Sequence, residues 1–152
     1  MKKFIYSMEN LLQMKQKLED QAKIAYGNAR QTLNKEEQKL EELNFKKSSY
    51  EENLRQLRSS RLDLIKIKHG EDALEIMKLY IKQQIIIVNS AMQRLETARA
   101  RLNNTMVERK IQDKLKENAF DVYRKEYDAQ EQKEVDELNS FRFSDAVLVE
   151  ED

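Results

Sequence analysis

Apolar side chains recur through the first half of the chain as Leu18, Ala22, Ala25, Ala29, Leu33, Leu40, Leu43, Tyr50, Leu54, Leu57 and Leu64. The steps mostly alternate between four and three residues, which places one stripe on a helix and is the period of a left-handed coiled coil. Two steps of four fall together between Ala25 and Leu33, a stutter that locally unwinds a supercoil. Gly27 lies inside it, and an interior helical glycine costs about 1 kcal/mol against alanine, so a soft point is expected there. The second half is more regular: Met77, Ile81, Gln84, Val88, Ala91, Leu95, Ala98, Leu102 and Thr105 keep unbroken heptad spacing. The phase then slips to Ile111, Leu115, Ala119, Val122, Glu126 and Ala129.

Between these stripes lies Lys66, Ile67, Lys68, His69, Gly70, Glu71, Asp72, and Gly70 is one of only two glycines in a chain without proline. Basic residues before it suit a helix C-terminus and acidic residues after it suit a helix N-terminus, with Gly70 as the cap. The pattern predicts an all-α fold, two long helices forming an antiparallel coiled-coil hairpin over about 4–143, with helix one about 7–68, the turn about 69–71 and helix two about 72–139. Ser7 is the expected N-cap of the first helix, with Glu9 in its first turn and Tyr6 stapling onto Leu11. Residues 144–152, ending in Glu150, Glu151 and Asp152, read as a flexible acidic tail.

A reversal at Gly70 pairs positions whose numbers sum to about 140, so large residues meet small ones along the seam. Tyr50 faces Ala91, Leu43 faces Ala98, Ala25 faces Leu115, Ala29 faces Ile111, and Leu64 faces Met77. Lys15 falls opposite Glu126 as a polar, register-setting pair. At 1.5 Å per residue each arm of this rod extends roughly 90 to 100 Å.

Charge and composition narrow the function. Charged residues make up 37% of the chain, 28 basic against 28 acidic, and the mean hydropathy of −0.87 leaves enough apolar surface for a seam rather than a globular interior. Zero net charge gives no general attraction to nucleic acid or to an anionic membrane, so the expected partner is a protein and nucleic acid is not one. Arg94, Arg99, Arg101 and Arg109 form a basic run, but the expected register sets Glu36, Glu37, Glu41 and Glu42 beside it. The longest apolar run, Ile85 to Val88, is far short of the roughly 20 residues of a membrane span, and polar residues after Tyr6 deny a signal peptide its apolar core. A soluble, cytosolic protein without direct membrane insertion is expected.

No residue set here supports catalysis. The chain has no cysteine, no glycine-rich phosphate loop and one histidine, and His69 reads as a complement to a helix C-terminus. Paired glutamates such as Glu51 and Glu52 read as solvated helix faces. No catalytic, metal-binding or cofactor-binding residues are expected, and no cofactor.

One group resists assignment to the seam: Ile76, Leu79, Tyr80, Ile86 and Ile87 form a second apolar stripe on helix two. A two-helix hairpin cannot bury both stripes, and a patch of several hundred square ångströms exceeds what a monomer normally shows. The expectation is a protein-binding site of the helix-in-groove kind, with weak homo-oligomerisation through the same stripe as the alternative.

Two stretches carry a resemblance. The opening Phe4, Tyr6, Ser7, Met8, Glu9, Leu12, Lys15 and the later run from Tyr127 through Glu131, Gln132, Lys133, Asp136 and Glu137 resemble the FliJ family of coiled-coil proteins of the bacterial flagellar export apparatus. The resemblance covers Phe4 to about Phe143, and the segment Ala146 to Asp152 departs from the family. It implies a fold like the antiparallel coiled coil of a rotary ATPase central stalk. It also implies three kinds of partner: the hexameric flagellar export ATPase, which would receive the end holding both termini, the membrane export gate protein, and export chaperones. The location implied is the cytoplasm, peripheral at the inner face of the cell membrane at the flagellar base. The expected ATPase contacts are Phe4, Met8, Leu11, Leu12, Arg124 and Tyr127, and the expected gate contacts are Ile76, Leu79, Tyr80, Ile86 and Ile87. A generic tether or spacer that self-associates through that stripe is the alternative.

Overall fold

The computed structural model describes residues 2–151, with side-chain surroundings through residue 148. Two helices make up nearly all of it, α1 over Glu9–Ser59 and α2 over Leu64–Glu151. Before α1 the chain turns once, Glu9 N donating to Tyr6 O at 3.2 Å, and Leu12 N makes the first helical bond to Met8 O at 3.0 Å. Met8, rather than the expected Ser7, therefore holds the cap position.

The reversal also differs from expectation. It falls at residues 60–63, not 69–71, because Asp63 is the N-cap of α2: its Oδ1 accepts from Ile65 N at 3.1 Å and from Lys66 N at 3.3 Å. Gly70 has no positive φ and sits inside α2. Its missing side chain serves packing instead, since a Cβ there would lie 3.0 Å from Leu54 Cδ1. His69 accordingly belongs to an early turn of α2 and not to a helix C-terminus. At the other end, the segment from 144 expected as a flexible tail is helical to Glu151. Asp152 and the side chains of residues 149–151 lie outside the described residues.

The chain divides into two compact units, Glu19–Thr105 and Met1–Leu18 with Met106–Asp152; α1 and α2 contribute to both. In the first, Leu33, Val88, Ala91 and Leu95 form a buried cluster, with Tyr26, Ala29 and Leu40 packed against it. The α2 stripe expected from Met77 to Thr105 is buried or half-buried throughout. On α1, Tyr26 takes a seam position, so Ala22, Tyr26, Ala29 and Leu33 step four, three and four without the expected stutter. Arg58 meets Glu71 at 2.8 Å, Leu54 meets Gly70, and Gln84 meets Glu36, so the helices are antiparallel.

Those partners sum to about 120–130 rather than 140, a displacement of about two heptads. Tyr50, Leu43 and Leu64 are thus carried away from Ala91, Ala98 and Met77, and Leu64 is exposed. The acidic residues around Glu36 are likewise carried away from Arg94, Arg99 and Arg101; Arg99 pairs locally with Glu96 at 3.3 Å. Buried Gln84 donates from Nε2 to the Glu36 carbonyl at 2.9 Å and to its Oε2 at 2.6 Å. That bond holds the Glu36 carboxyl below the usual carboxylate range, with Lys39 assisting and burial opposing.

In the second unit the helices are antiparallel as well. Tyr6, Leu12 and Gln112 are buried. Lys15 pairs with Glu108 at 3.0 Å, not with Glu126, and Glu9 pairs with Lys116 at 2.8 Å. The expected slip to Ile111, Leu115 and Val122 does not occur, for all three are exposed. Arg109, Gln112, Lys116, Ala119 and Tyr123 are half-buried or buried and keep steps of three and four, with Asp113 half-buried beside them. Long polar side chains cover the seam with their stems and keep their heads in contact with water or a partner, so the true phase is hidden from an apolar count.

Two stability outcomes follow. Nothing lies within 4 Å of a Cβ added at Gly27, so Gly27→Ala should raise the unfolding free energy by about 0.5–1 kcal/mol, whereas Gly70→Val should lower it by crowding Leu54. In urea unfolding followed by helicity, equal effects at the two sites would contradict the assignment of Gly70 to a close approach. Leu33→Ala should cost about 2–4 kcal/mol while Ile86→Ala should change stability by under about 0.5 kcal/mol; the same measurement separates them.

Candidate partner-binding surfaces

In the unit that holds both termini, residues ahead of α1 lie on α2 through aromatic contacts. Phe4 meets Phe120 edge-on with ring centroids 5.2 Å apart and Tyr123 at 5.3 Å, and Tyr123 continues to Tyr127 at 6.1 Å. Edge-to-face and tilted pairs of this kind add to plain area burial. The Tyr123 hydroxyl donates to the Lys2 carbonyl at 2.7 Å, and the Tyr6 hydroxyl donates to Gln112 Oε1 at 3.4 Å. These contacts clasp an irregular segment that has no helical bonds of its own.

Of the expected ATPase contacts, Phe4 and Tyr127 are brought into this cluster. Arg124 is exposed and lines a shallow groove with Lys3, Phe120, Tyr123, Tyr127 and Asp128. Met8 is exposed and Leu11 half-buried, whereas Leu12, at 3% exposed, is a core residue that offers no surface. The Tyr127 phenol, hydrogen-bonded to the Glu131 carboxylate, is pushed above its ordinary range. Phe120 and Tyr123 were absent from the expected set, although aromatic spacing of three and four through Phe120, Tyr123 and Tyr127 marks one helix face.

In the other unit the expected gate contacts Ile76, Leu79, Tyr80, Ile86 and Ile87 are all exposed, between 45% and 68%. At 100° per residue, Ile76, Tyr80 and Ile87 flank the buried Met77–Gln84–Val88 row, while Leu79 and Ile86 lie on the side away from it. Ile85, also exposed, lies on the opposite flank of that row. The protein therefore leaves this stripe open.

Among the described residues no group of three or more acidic or histidine side chains is placed to hold a metal ion, and no helix is long and apolar enough to cross a membrane.

No curated protein matches the chain. Among solved structures, a putative YscO homolog from Chlamydia trachomatis is similar to it, with a TM-score of 0.75 and 25% sequence identity over 91% of this chain and 94% of that one. The family model for the flagellar FliJ protein matches residues 4–147, a span that takes in the aromatic cluster and the exposed stripe. The chain belongs to the flagellar FliJ protein family.

Proposed function

We propose that this chain is a non-enzymatic component of the flagellar type III protein export apparatus that acts as a central-stalk-like element. The observation that carries the reading is the family match over residues 4–147, which includes two separate partner-accessible surfaces. The unit holding both termini engages the hexameric export ATPase through Phe4, Met8, Leu11, Arg124 and Tyr127, with Phe120 and Tyr123 added from the same cluster. The stripe of Ile76, Leu79, Tyr80, Ile86 and Ile87 engages the membrane export gate, and export chaperones are further partners. The protein then resides in the cytoplasm, peripheral at the inner face of the cell membrane at the flagellar base.

The mechanism is coupling by binding. A ligand shifts a partner's equilibrium only as far as its affinities for the two states differ. A chain that contacts an ATPase ring at one surface and a gate at another links their states without chemistry of its own. A second reading, favoured by the exposure of the stripe alone, is a tether that self-associates there.

Titration of this chain into the export ATPase of the same bacterium should raise hydrolysis saturably, and Met8→Ala with Arg124→Glu should reduce the effect at least about tenfold, a loss of about 1.4 kcal/mol, at unchanged helicity. No stimulation and no complex on sizing would count against the stalk role. Leu79→Asp with Ile86→Asp should abolish capture of the gate's cytoplasmic domain and leave helicity intact. If sedimentation instead finds a wild-type dimer that this variant converts to monomer, with gate capture absent throughout, the tether reading replaces the first.

A further inference from the structure

With the reversal at residues 60–63, the stretch 58–69 becomes a single surface feature. Leu62, Leu64 and Ile65 are 72%, 77% and 72% exposed, each more open than any residue of the Ile76–Ile87 stripe. Four basic residues share the stretch, Arg58, Arg61, Lys66 and Lys68, against one acid, Asp63. That acid is occupied, capping α2 through the Ile65 and Lys66 amides. Arg58 is paired with Glu71 at 2.8 Å and Lys68 with Asp72 at 3.4 Å. Arg61 and Lys66 are exposed and have no carboxylate partner among the described residues.

We propose that this loop inserts shallowly into the surface of an anionic lipid bilayer. The interface of such a bilayer supplies an apolar layer for the three aliphatics directly beneath a layer of negative headgroups. Arg61 and Lys66 reach those headgroups while their stems follow the aliphatics inward. Interfacial binding strength grows with the apolar area buried and with charge attraction to anionic lipids, and this stretch offers both. The residues sit at the reversal and in the first turn of α2, widely exposed, which suits a deformable surface, and a second copy would bring like charges together. The chain's zero net charge does not oppose this, because the attraction is local and decays within about 10 Å in 0.1 M salt. The inference goes beyond the proposed function, which invokes only protein partners. It also places the gate-facing stripe close to the bilayer: Ile76 follows Leu64 by about 18 Å along α2.

Flotation of the full chain with vesicles of phosphatidylcholine alone, and of phosphatidylcholine with one-third phosphatidylglycerol, tests the proposal. Binding to the anionic vesicles only, reversed at 1 M salt where screening shortens to about 3 Å, is expected. Arg61→Gln with Lys66→Gln should lower the partition coefficient about 25-fold, about fivefold per cation, and Leu62→Ser, Leu64→Ser, Ile65→Ser together should lose binding. Both variants alter exposed side chains, so helicity should hold, and ATPase stimulation should be unchanged, which separates this test from that of the stalk role. Equal binding to neutral vesicles, no binding to anionic ones, or binding indifferent to both variants would overturn it. So would loss of capture by a purified acidic protein domain in the same variants with vesicles ignored, since the loop would then be a protein contact.

Discussion

The Asp63 carboxylate decides where α2 begins, and the pairing of the helices in the Glu19–Thr105 unit follows from that position. A seam that repeats every seven residues is nearly as well satisfied after a slip of one or two heptads, so apolar burial alone leaves the register open. Directional contacts close it. Gln84 donates two hydrogen bonds to Glu36 from a buried position, and a slip would leave that amide unpaired at the cost of its desolvation. Gly70 accepts the close approach of Leu54, where an added Cβ would lie 3.0 Å from Leu54 Cδ1. In the unit containing the termini the same task falls to ion pairs. Glu9 Oε2 is shut off from solvent and has Lys116 Nζ at 2.8 Å as its counter-charge. Exposed pairs contribute little to stability, about 0–1 kcal/mol each, and their larger effect here is to disfavour wrong registers.

This explains which parts of the fold were legible. The helical class and the α2 stripe from Met77 to Thr105 follow from period alone, and period survives any slip. The turn did not follow, because two signals competed. Gly70 in a glycine-poor chain looks like a reversal, whereas Asp63 shows only as an N-cap before an apolar pair, Leu64 and Ile65. The structure uses glycine for contact and aspartate for the cap. The missed phase at Tyr26 and at Arg109, Gln112 and Lys116 has one cause: seam positions in a thin two-helix pair can be filled by long amphipathic side chains whose polar heads remain outside.

The candidate surfaces were legible to different degrees for the same reason. Ile76 to Ile87 stand out because once a heptad row is assigned, surplus aliphatics have nowhere to go. The terminal cluster was partly visible through Phe4, Arg124 and Tyr127, but Leu12 could not be told from a surface leucine without knowing that the segment ahead of α1 folds onto α2. Leu62, Leu64 and Ile65 were hidden by the misplaced turn, which counted Leu64 as core.

Stability in such a molecule is uneven along the chain. The cluster around Leu33, Val88, Ala91 and Leu95 is packed from both helices, whereas every described side chain from Asp128 to Leu148 is exposed. Local terms such as the Gln132–Asp136 hydrogen bond at 3.0 Å hold that stretch helical, and each is worth only a few tenths of a kcal/mol. Helices of this length without packing are marginal in water. Opening should therefore start in this segment at small free energy and reach the Leu33 cluster last. A partner that binds the packed units meets a preformed surface and loses little affinity to ordering. One that binds beyond Tyr127 must also supply the order that packing does not, so its affinity will be lower for the same contact area.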